Sequence, residues 1–364
     1  MIPMQDLSVQ YEMLKDELDP AIRSVISSSR FIGGEQVKDF EKSFADYLHV
    51  EHCISVGSGS DALEIAIEAL EFPEGSEVIL PVNTFIAAAE AVSRAGLTPV
   101  FCDSGEDHNI DVEAIERLIT DNTKAIMAVH LYGLPCDMEE LTDIAERHGL
   151  KVIEDCAHAH GAEYRTRKAG GLGDIAAFSF NPGKNIGAFG DAGAITTNDE
   201  RLARRCRAIA DHGRESKNLH TLKGRNSRLD AIQAAVLNIK IKHIHELLNP
   251  RINNAKIYLE SLKDIQEISL PTIHPEKEHA FHQFVITTNK RDELKEYLSE
   301  RGIETAIHYP TIIARQPAFA DTKNYRAEKS SQEILSLPIA AHLKSEDISI
   351  ISKAIRDFFH QQSS

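Results

Sequence analysis

The sequence predicts an α/β protein built on a mostly parallel, seven-stranded sheet, and three observations carry that expectation. Short β-rich runs recur at His52–Val56, Glu77–Val82, Thr98–Asp103, Ala125–Leu131, Lys151–Cys156, Ile175–Phe180 and Ala194–Thr197. Several of them are apolar without alternation, the pattern of strands buried on both faces. Helical patterns lie between most of them, and strands alternating with helices give a parallel sheet covered on both sides.

Three of the helices between the strands have a capping residue at their start. The first fifty residues carry apolar positions at helical spacing, broken at Ile32-Gly33-Gly34. Ser60 is placed to cap a helix over Ala62–Leu70, Asp111 one over Val112–Thr120, and Asp137 one over Met138–His148. A long helix from Arg228 to about Leu248 then leads out of the sheet domain. Beyond it, helices over Ile252–Leu262, Arg291–Arg301 and Ser345–Phe359, with a strand over Phe281–Thr287, suggest a smaller α+β unit. The expected division is residues 1–245 for the large domain and 246–364 for the small one.

Composition narrows the function classes. Hydrophobic residues make up 42% and charged residues 26%, the balance of a globular protein with a large core. A formal net charge of −16 argues against nucleic acid or an anionic membrane as the main partner, though not against a small anionic substrate in a local basic pocket. The five cysteines are odd in number and form no C-x-x-C pair, so neither a disulfide framework nor a zinc site is expected. Met1-Ile-Pro-Met-Gln-Asp shows no basic flank leading into an apolar run, and no stretch approaches the roughly 20 apolar residues that span a bilayer. The chain reads as cytoplasmic.

Three segments could carry chemistry. Val56-Gly57-Ser58-Gly59-Ser60-Asp61-Ala62 follows a strand and opens a helix, which gathers free backbone N–H groups at a positive helix end suited to phosphate. The competing reading is a plain tight turn. Val152-Ile153-Glu154-Asp155 ends a buried strand in carboxylates, at the end of the sheet where ligands of open α/β folds bind. A buried Asp155 needs a positive partner, which a pyridinium nitrogen would supply; a helix-capping surface acid is the alternative. Phe178-Ser179-Phe180-Asn181-Pro182-Gly183-Lys184-Asn185 sets a single lysine on a constrained loop at the sheet's mouth, five residues after a serine hydroxyl. Such a lysine can form a Schiff base when desolvated, although most loop lysines are merely solvated cations. Asp155, His158 and His160 also allow a metal reading, but Cys156 and the small residues around it complete no recognisable ligand spacing, and no metal is expected.

Together these segments resemble the DegT/StrS sugar aminotransferases, a branch of the fold-type I enzymes that use pyridoxal 5′-phosphate (PLP). The resemblance runs from Ile2-Pro-Met-Gln-Asp-Leu to Leu335-Ser-Leu-Pro338. It includes S-G-S-D-A-L at 58–63, P-V-N-T-F at 81–85, H-L-Y-G at 130–133, E-D-C-A-H-A-H-G at 154–161, F-S-F-N-P-G-K-N at 178–185 and N-S-R-L-D at 226–230. It implies that Lys184 is the Schiff-base lysine and proton shuttle, and Asp155 the pyridinium partner. Phe85 would stack on the ring, and Gly59, Ser60, Asp61 (through backbone amides) and Ser179 would cradle the phosphate. Asn226 would reach the phosphate of the neighbouring subunit in a homodimer with shared sites. His158 stands where Gln is usual beside the cofactor's phenolic oxygen, and either side chain can hydrogen-bond there.

Other departures are Asn181 for a common Tyr, Gly-Asp-Ala-Gly at 190–193 for Gly-Asp-Gly-Gly, and Ala314 for a frequent His. The implied reaction takes nitrogen from L-glutamate and gives it to a nucleotide-linked keto sugar, with Arg228, His308 and Tyr309 as candidate substrate contacts. Pro182-Gly-Lys-Asn-Ile-Gly-Ala-Phe-Gly-Asp191, Asn226-Ser-Arg-Leu-Asp230 and Ile307-His-Tyr-Pro310 are most similar to members that aminate carbon 3 of a dTDP-linked 3-keto-6-deoxyhexose. Carbon 4 of a 4-keto sugar is the alternative. Sugar dehydratases on the same scaffold carry His in place of the lysine, which Lys184 opposes. A non-catalytic regulatory homologue is the remaining rival.

Overall fold

A computed structural model describes residues 1–362. Its centre is a seven-stranded sheet made of β1 (His52–Val56), β2 (Glu77–Pro81), β3 (Thr98–Cys102), β4 (Thr123–Val129), β5 (Lys151–Asp155), β8 (Ile175–Ser179) and β9 (Gly193–Thr197). The order is β1-β9-β8-β5-β4-β2-β3. Only β9 runs against its neighbours, so the sheet is mostly parallel, as the unalternating apolar runs predict. Successive residues of β4 enter opposite cores: Ala125, Met127 and Val129 on one side, Ile126 and Ala128 on the other. Period-two alternation thus survives in direction although both faces are apolar.

One face is covered by α3 (Gly59–Ala69), α4 (Ala87–Arg94) and α7 (Glu200–Ala210). The other carries α5 (Val112–Ile115), α6 (Met138–His148) and a layer of α1 (Leu7–Ser28), α2 (Glu35–Leu48) and α8 (Ala231–Lys242). Glycines at 33 and 34 take positive φ between α1 and α2, the break that the sequence marks. Short pairs at the periphery are β6 (Glu163–Tyr164), β7 (Arg167–Lys168) and β12 (Lys277–Glu278), and β10 (Arg214–Ser216) with β11 (Leu219–His220). No described helix is long and apolar enough to cross a membrane.

Several boundaries differ from expectation; the strand over Ala125–Leu131, for one, is shifted to Thr123–Val129. The helix expected to be capped by Ser60 starts earlier, at Gly59, because Ser58 is its cap: Ser58 Oγ accepts the Asp61 N–H at 3.1 Å. The helix from Asp111 ends at Ile115 and passes into a 3₁₀ turn over Glu116–Leu118. The long helix from Arg228 is two helices, α8 and α9 (Ile244–Leu262), separated at His243. The strand placed at Phe281–Thr287 begins at Phe284 as β13 (Phe284–Thr287), since Phe281 takes φ 45°.

β13 pairs antiparallel with β14 (Ile334–Leu337), and α9, α10 (Arg291–Glu300) and α12 (Ser345–Gln362) pack around that pair. α11 (Arg326–Glu333) leads into β14. Leu247 and Leu248 of α9 lie in the core beside α8, whereas its Ala255, Tyr258 and Leu262 belong to the separate core of this C-terminal unit.

Candidate active site

Asp155 and Ser179 end neighbouring parallel strands, with Asp155 paired in register to Ala177. Both therefore open onto the crevice at the carboxyl end of the sheet, where α/β folds bind ligands. A cavity of about 370 Å³ lies there. Of the candidate residues it gathers Lys184, Asp155, Gly59, Ser60, Phe85, His158, Ser179 and Tyr309.

One end is built to hold an anion. The N-terminus of α3 approaches Ser179 so closely that a Cβ on Gly59 would fall 2.5 Å from Ser179 Cβ. Glycine is required there by contact rather than by its backbone angle. Ser58 occupies the cap and takes the Asp61 N–H, so Asp61 is engaged in the cap and does not line the cavity. The first turn of α3 and the Ser179 hydroxyl still face the same space.

At the other end sit Lys184 and Asp155. Burial draws the Lys184 amine down to about 8, with the negative charge of Asp155 opposing the shift. Burial likewise raises the Asp155 carboxyl; one backbone N–H, from Ala157 at 3.0 Å, and the Lys184 charge only partly offset it. Each group is thus displaced toward its neutral form, the state in which an amine is nucleophilic and a carboxylate lacks its cation.

His158 is buried, with Nδ1 accepting the Tyr132 N–H at 3.3 Å, which leaves the proton on Nε2. Burial first, then the nearby Lys184 charge, holds it well below the ordinary histidine value, so it is a neutral donor. Its ring packs against His282, centroids 4.3 Å apart. His282 in turn shares Nδ1 with Asn185 Oδ1 at 3.0 Å, and Asn185 Nδ2 donates to Ala280 O at 3.1 Å, so the residue after the lysine is anchored on both sides. Phe85 is exposed on the cavity wall and lies 5.8 Å from the Tyr309 ring, centroid to centroid.

Other candidates lie elsewhere. Asn226 is exposed and accepts from Arg228 Nε at 3.0 Å, while Arg228 pairs with Asp211 at 3.3 Å, both outside the cavity. His308 is next to the cavity-lining Tyr309 but turns to Ser336 Oγ at 2.8 Å. His160 packs on Phe178 and Phe180 with both ring nitrogens buried and unpartnered, a core histidine rather than a ligand. Thr84, Asn181 and Asp191 line the cavity and were not singled out as contacts from the sequence. Their signal was adjacency to Phe85 and to the lysine loop; Asn181 Nδ2 donates to Asp191 Oδ1 at 3.2 Å.

His130, Glu154 and Cys156 come close enough to suggest a metal cluster. Glu154, however, is saturated: it accepts N–H groups of Gly170, Leu172 and Gly173 at 2.7–2.8 Å and His130 Nε2 at 3.0 Å. His130 Nδ1 accepts the Cys136 N–H at 3.1 Å, so no lone pair of the imidazole is left for an ion.

The sequence profile of the DegT/DnrJ/EryC1/StrS aminotransferase family matches residues 12–356. The chain belongs to that family. Like other members of the DegT family, it is a PLP-dependent aminotransferase. It is 42% identical over 363 residues to a dTDP-3-amino-3,4,6-trideoxy-alpha-D-glucose transaminase of Streptomyces venezuelae, covering 98% of this chain and 96% of that one. It is 43% identical over 367 residues to a protein of Geobacillus stearothermophilus named as a pleiotropic regulatory protein, covering 98% of each. The crystal structure of S. venezuelae DesV in complex with a ketimine intermediate superposes with a TM-score of 0.96, at 42% identity and 98% coverage of both chains.

Proposed function

We propose that this DegT-family enzyme moves an amino group from L-glutamate to carbon 3 of a dTDP-linked 3-keto-6-deoxyhexose, in deoxyamino-sugar biosynthesis. The observation that carries the reading is that Lys184 and Asp155, each drawn by burial toward its neutral form, line one cavity together with an anion cradle. PLP fits that cavity: its phosphate would lie on the first turn of α3 and Ser179, its ring nitrogen against Asp155, its face on Phe85. When bound, PLP supplies the electron sink that lets a proton leave the carbon next to the transferred nitrogen.

The chain's own residues do the rest. Lys184 takes and returns that proton at Nζ, for which an amine near pH 8 is well matched. Asp155 would meet the ring nitrogen as its anionic partner and hold it protonated. His158, its Nδ1 engaged by the Tyr132 N–H, would offer Nε2–H to the phenolic oxygen without adding charge. The carbon-3 choice is supported by the loop sequences around Lys184, Asn226 and His308 and by the name of the Streptomyces relative.

The same reading makes the enzyme a homodimer in a reducing, cytoplasmic setting. Asn226 is exposed outside its own cavity, and the exposed apolar pair Phe31 and Ile32 adjoins its loop, with Ile32 bridged to Asp230. All five cysteines are free and buried. The division expected near residue 245 falls close to the point where α9 passes from one core to the other, between Leu248 and Ala255.

Incubating the PLP-loaded enzyme with glutamate and matched 3-keto or 4-keto dTDP sugars tests the proposal. Amination of the 3-keto sugar is expected; amination of the 4-keto isomer alone would move the specificity to carbon 4. No product from any keto sugar would favour the regulatory role that the Geobacillus relative's name suggests.

A further inference from the structure

A second cavity, of about 320 Å³, adjoins the first. His282 and His308 line it, while their neighbours His158, stacked on His282, and Tyr309, next in sequence to His308, line the catalytic cavity. Into this second space α9 sends Arg251, which is only 2% exposed. Its Nη1 donates to the carbonyls of Phe281 and His282 at 3.5 and 3.2 Å. Its Nε is buried and has no partner, and among the described residues no carboxylate forms an ion pair with it.

A guanidinium presents five N–H donors and a permanent charge. Leaving it buried with two weak carbonyl contacts is costly, because carbonyl dipoles do not replace the water a cation loses. A built cation with unspent donors, aimed into a cavity beside the chemistry, is a site for an anion.

We infer that Arg251 binds a carboxylate of the amino donor. This rests on the aminotransferase reading above and names the group that the donor must carry. The planar guanidinium that lines this cavity can offer paired N–H donors to the two oxygens of a carboxylate. Glu304, exposed and lining the same cavity with its Oε2 taking the Met4 N–H at 3.0 Å, opposes a more highly charged group such as a nucleotide diphosphate. A cavity of this size sits at the small end of ligand pockets and suits a short acid side chain. A dicarboxylic amino acid would therefore be preferred over one with a neutral side chain.

The test uses the PLP-loaded enzyme and the half-reaction with glutamate alone, followed by the cofactor's absorbance. Arg251→Met should raise the glutamate concentration for half-maximal conversion roughly 10- to 100-fold, the effect of one charged hydrogen-bonded contact. Arg251→Lys should recover part of it, and the KM for the keto sugar should stay within about twofold in both variants. Glutarate, which cannot react, should bind the wild-type holoenzyme by calorimetry, compete with glutamate, and fail to bind the Met variant. An unchanged glutamate dependence, a rise confined to the keto-sugar KM, or glutarate that does not bind would each overturn the assignment. If instead no keto sugar is aminated while glutamate still converts the cofactor in an Arg251-dependent way, the sugar reading fails and this one stands.

Discussion

Glu154 and Asp155 follow one another on β5, both bury a carboxylate, and they point to opposite faces of the sheet. Glu154 meets four donors and is held below the usual carboxylate range, the His130 and backbone hydrogen bonds outweighing its burial. Asp155 meets a single backbone N–H and is pushed above that range by burial. The first is an anion already satisfied by the protein, tying β5 to the 170–173 loop. The second is an anion left short of partners, and the shortage faces the cavity that holds Lys184. Adjacent residues of the same chemical type thus separate into fold and function by what surrounds them, and the under-satisfied one marks the site.

The largest effect that tests this contrast is at the cation facing Asp155. Lys184→Ala should abolish multiple-turnover transamination while leaving the fold intact, and borohydride reduction of the PLP-loaded wild type should fix the cofactor to the peptide containing Lys184. Full turnover in the Ala variant would break the assignment of this face to catalysis.

Next come the two carboxylates. Asp155→Asn should lower kcat by about a hundredfold or more, since a preorganised charge is removed from the reacting site, with the melting temperature little changed. Glu154→Gln should do the reverse. Its amide would thrust N–H groups at backbone N–H groups, costing roughly 3–5 kcal/mol as a broken buried pair does, so Tm should fall by several degrees. If Glu154→Gln lost activity without losing stability, the division between the neighbours would be wrong.

Much of this was legible in the sequence. The seven strands show as apolar runs, and Lys184, Asp155 and Ser179 stand out because local constraint places unusual residue types at strand ends. What stayed hidden depends on partners distant in the chain. Nothing local reveals that Glu154 is claimed by amides 16 to 19 residues away, or that Arg251 lacks an anion. The cap at Ser58 rather than Ser60 was missed because both serines precede the same apolar run, and the choice turns on how closely Gly59 meets Ser179. β14 is four residues long and ends before a proline, too short for a period to show.

The smallest effect, and the sharpest form of the comparison, lies in how the stability of the cofactor-free protein depends on pH. Glu154 titrates below its ordinary value of 4.5 in the fold. It therefore contributes stability that is present above about 4.5 and lost as pH falls through the lower folded value. Asp155 is shifted the other way from 3.8, so it weighs against the fold as pH rises above about 3.8, and the cost is complete once pH passes its raised value. At pH 7, Asp155→Asn should consequently leave the cofactor-free protein as stable as wild type or slightly more so, by about 1 kcal/mol or less on the scale of a single shifted group. Glu154→Gln should leave it less stable. As pH is lowered toward 4 the difference between Asp155→Asn and wild type should shrink, whereas that of Glu154→Gln should persist until pH falls through the lower folded value of Glu154. Denaturant midpoints of the three proteins between pH 4 and 8 would show it. Adding PLP should then stabilise wild type more than Asp155→Asn, because only wild type supplies the anion for the ring nitrogen. A parallel pH dependence for both variants would mean that the neighbours do the same work.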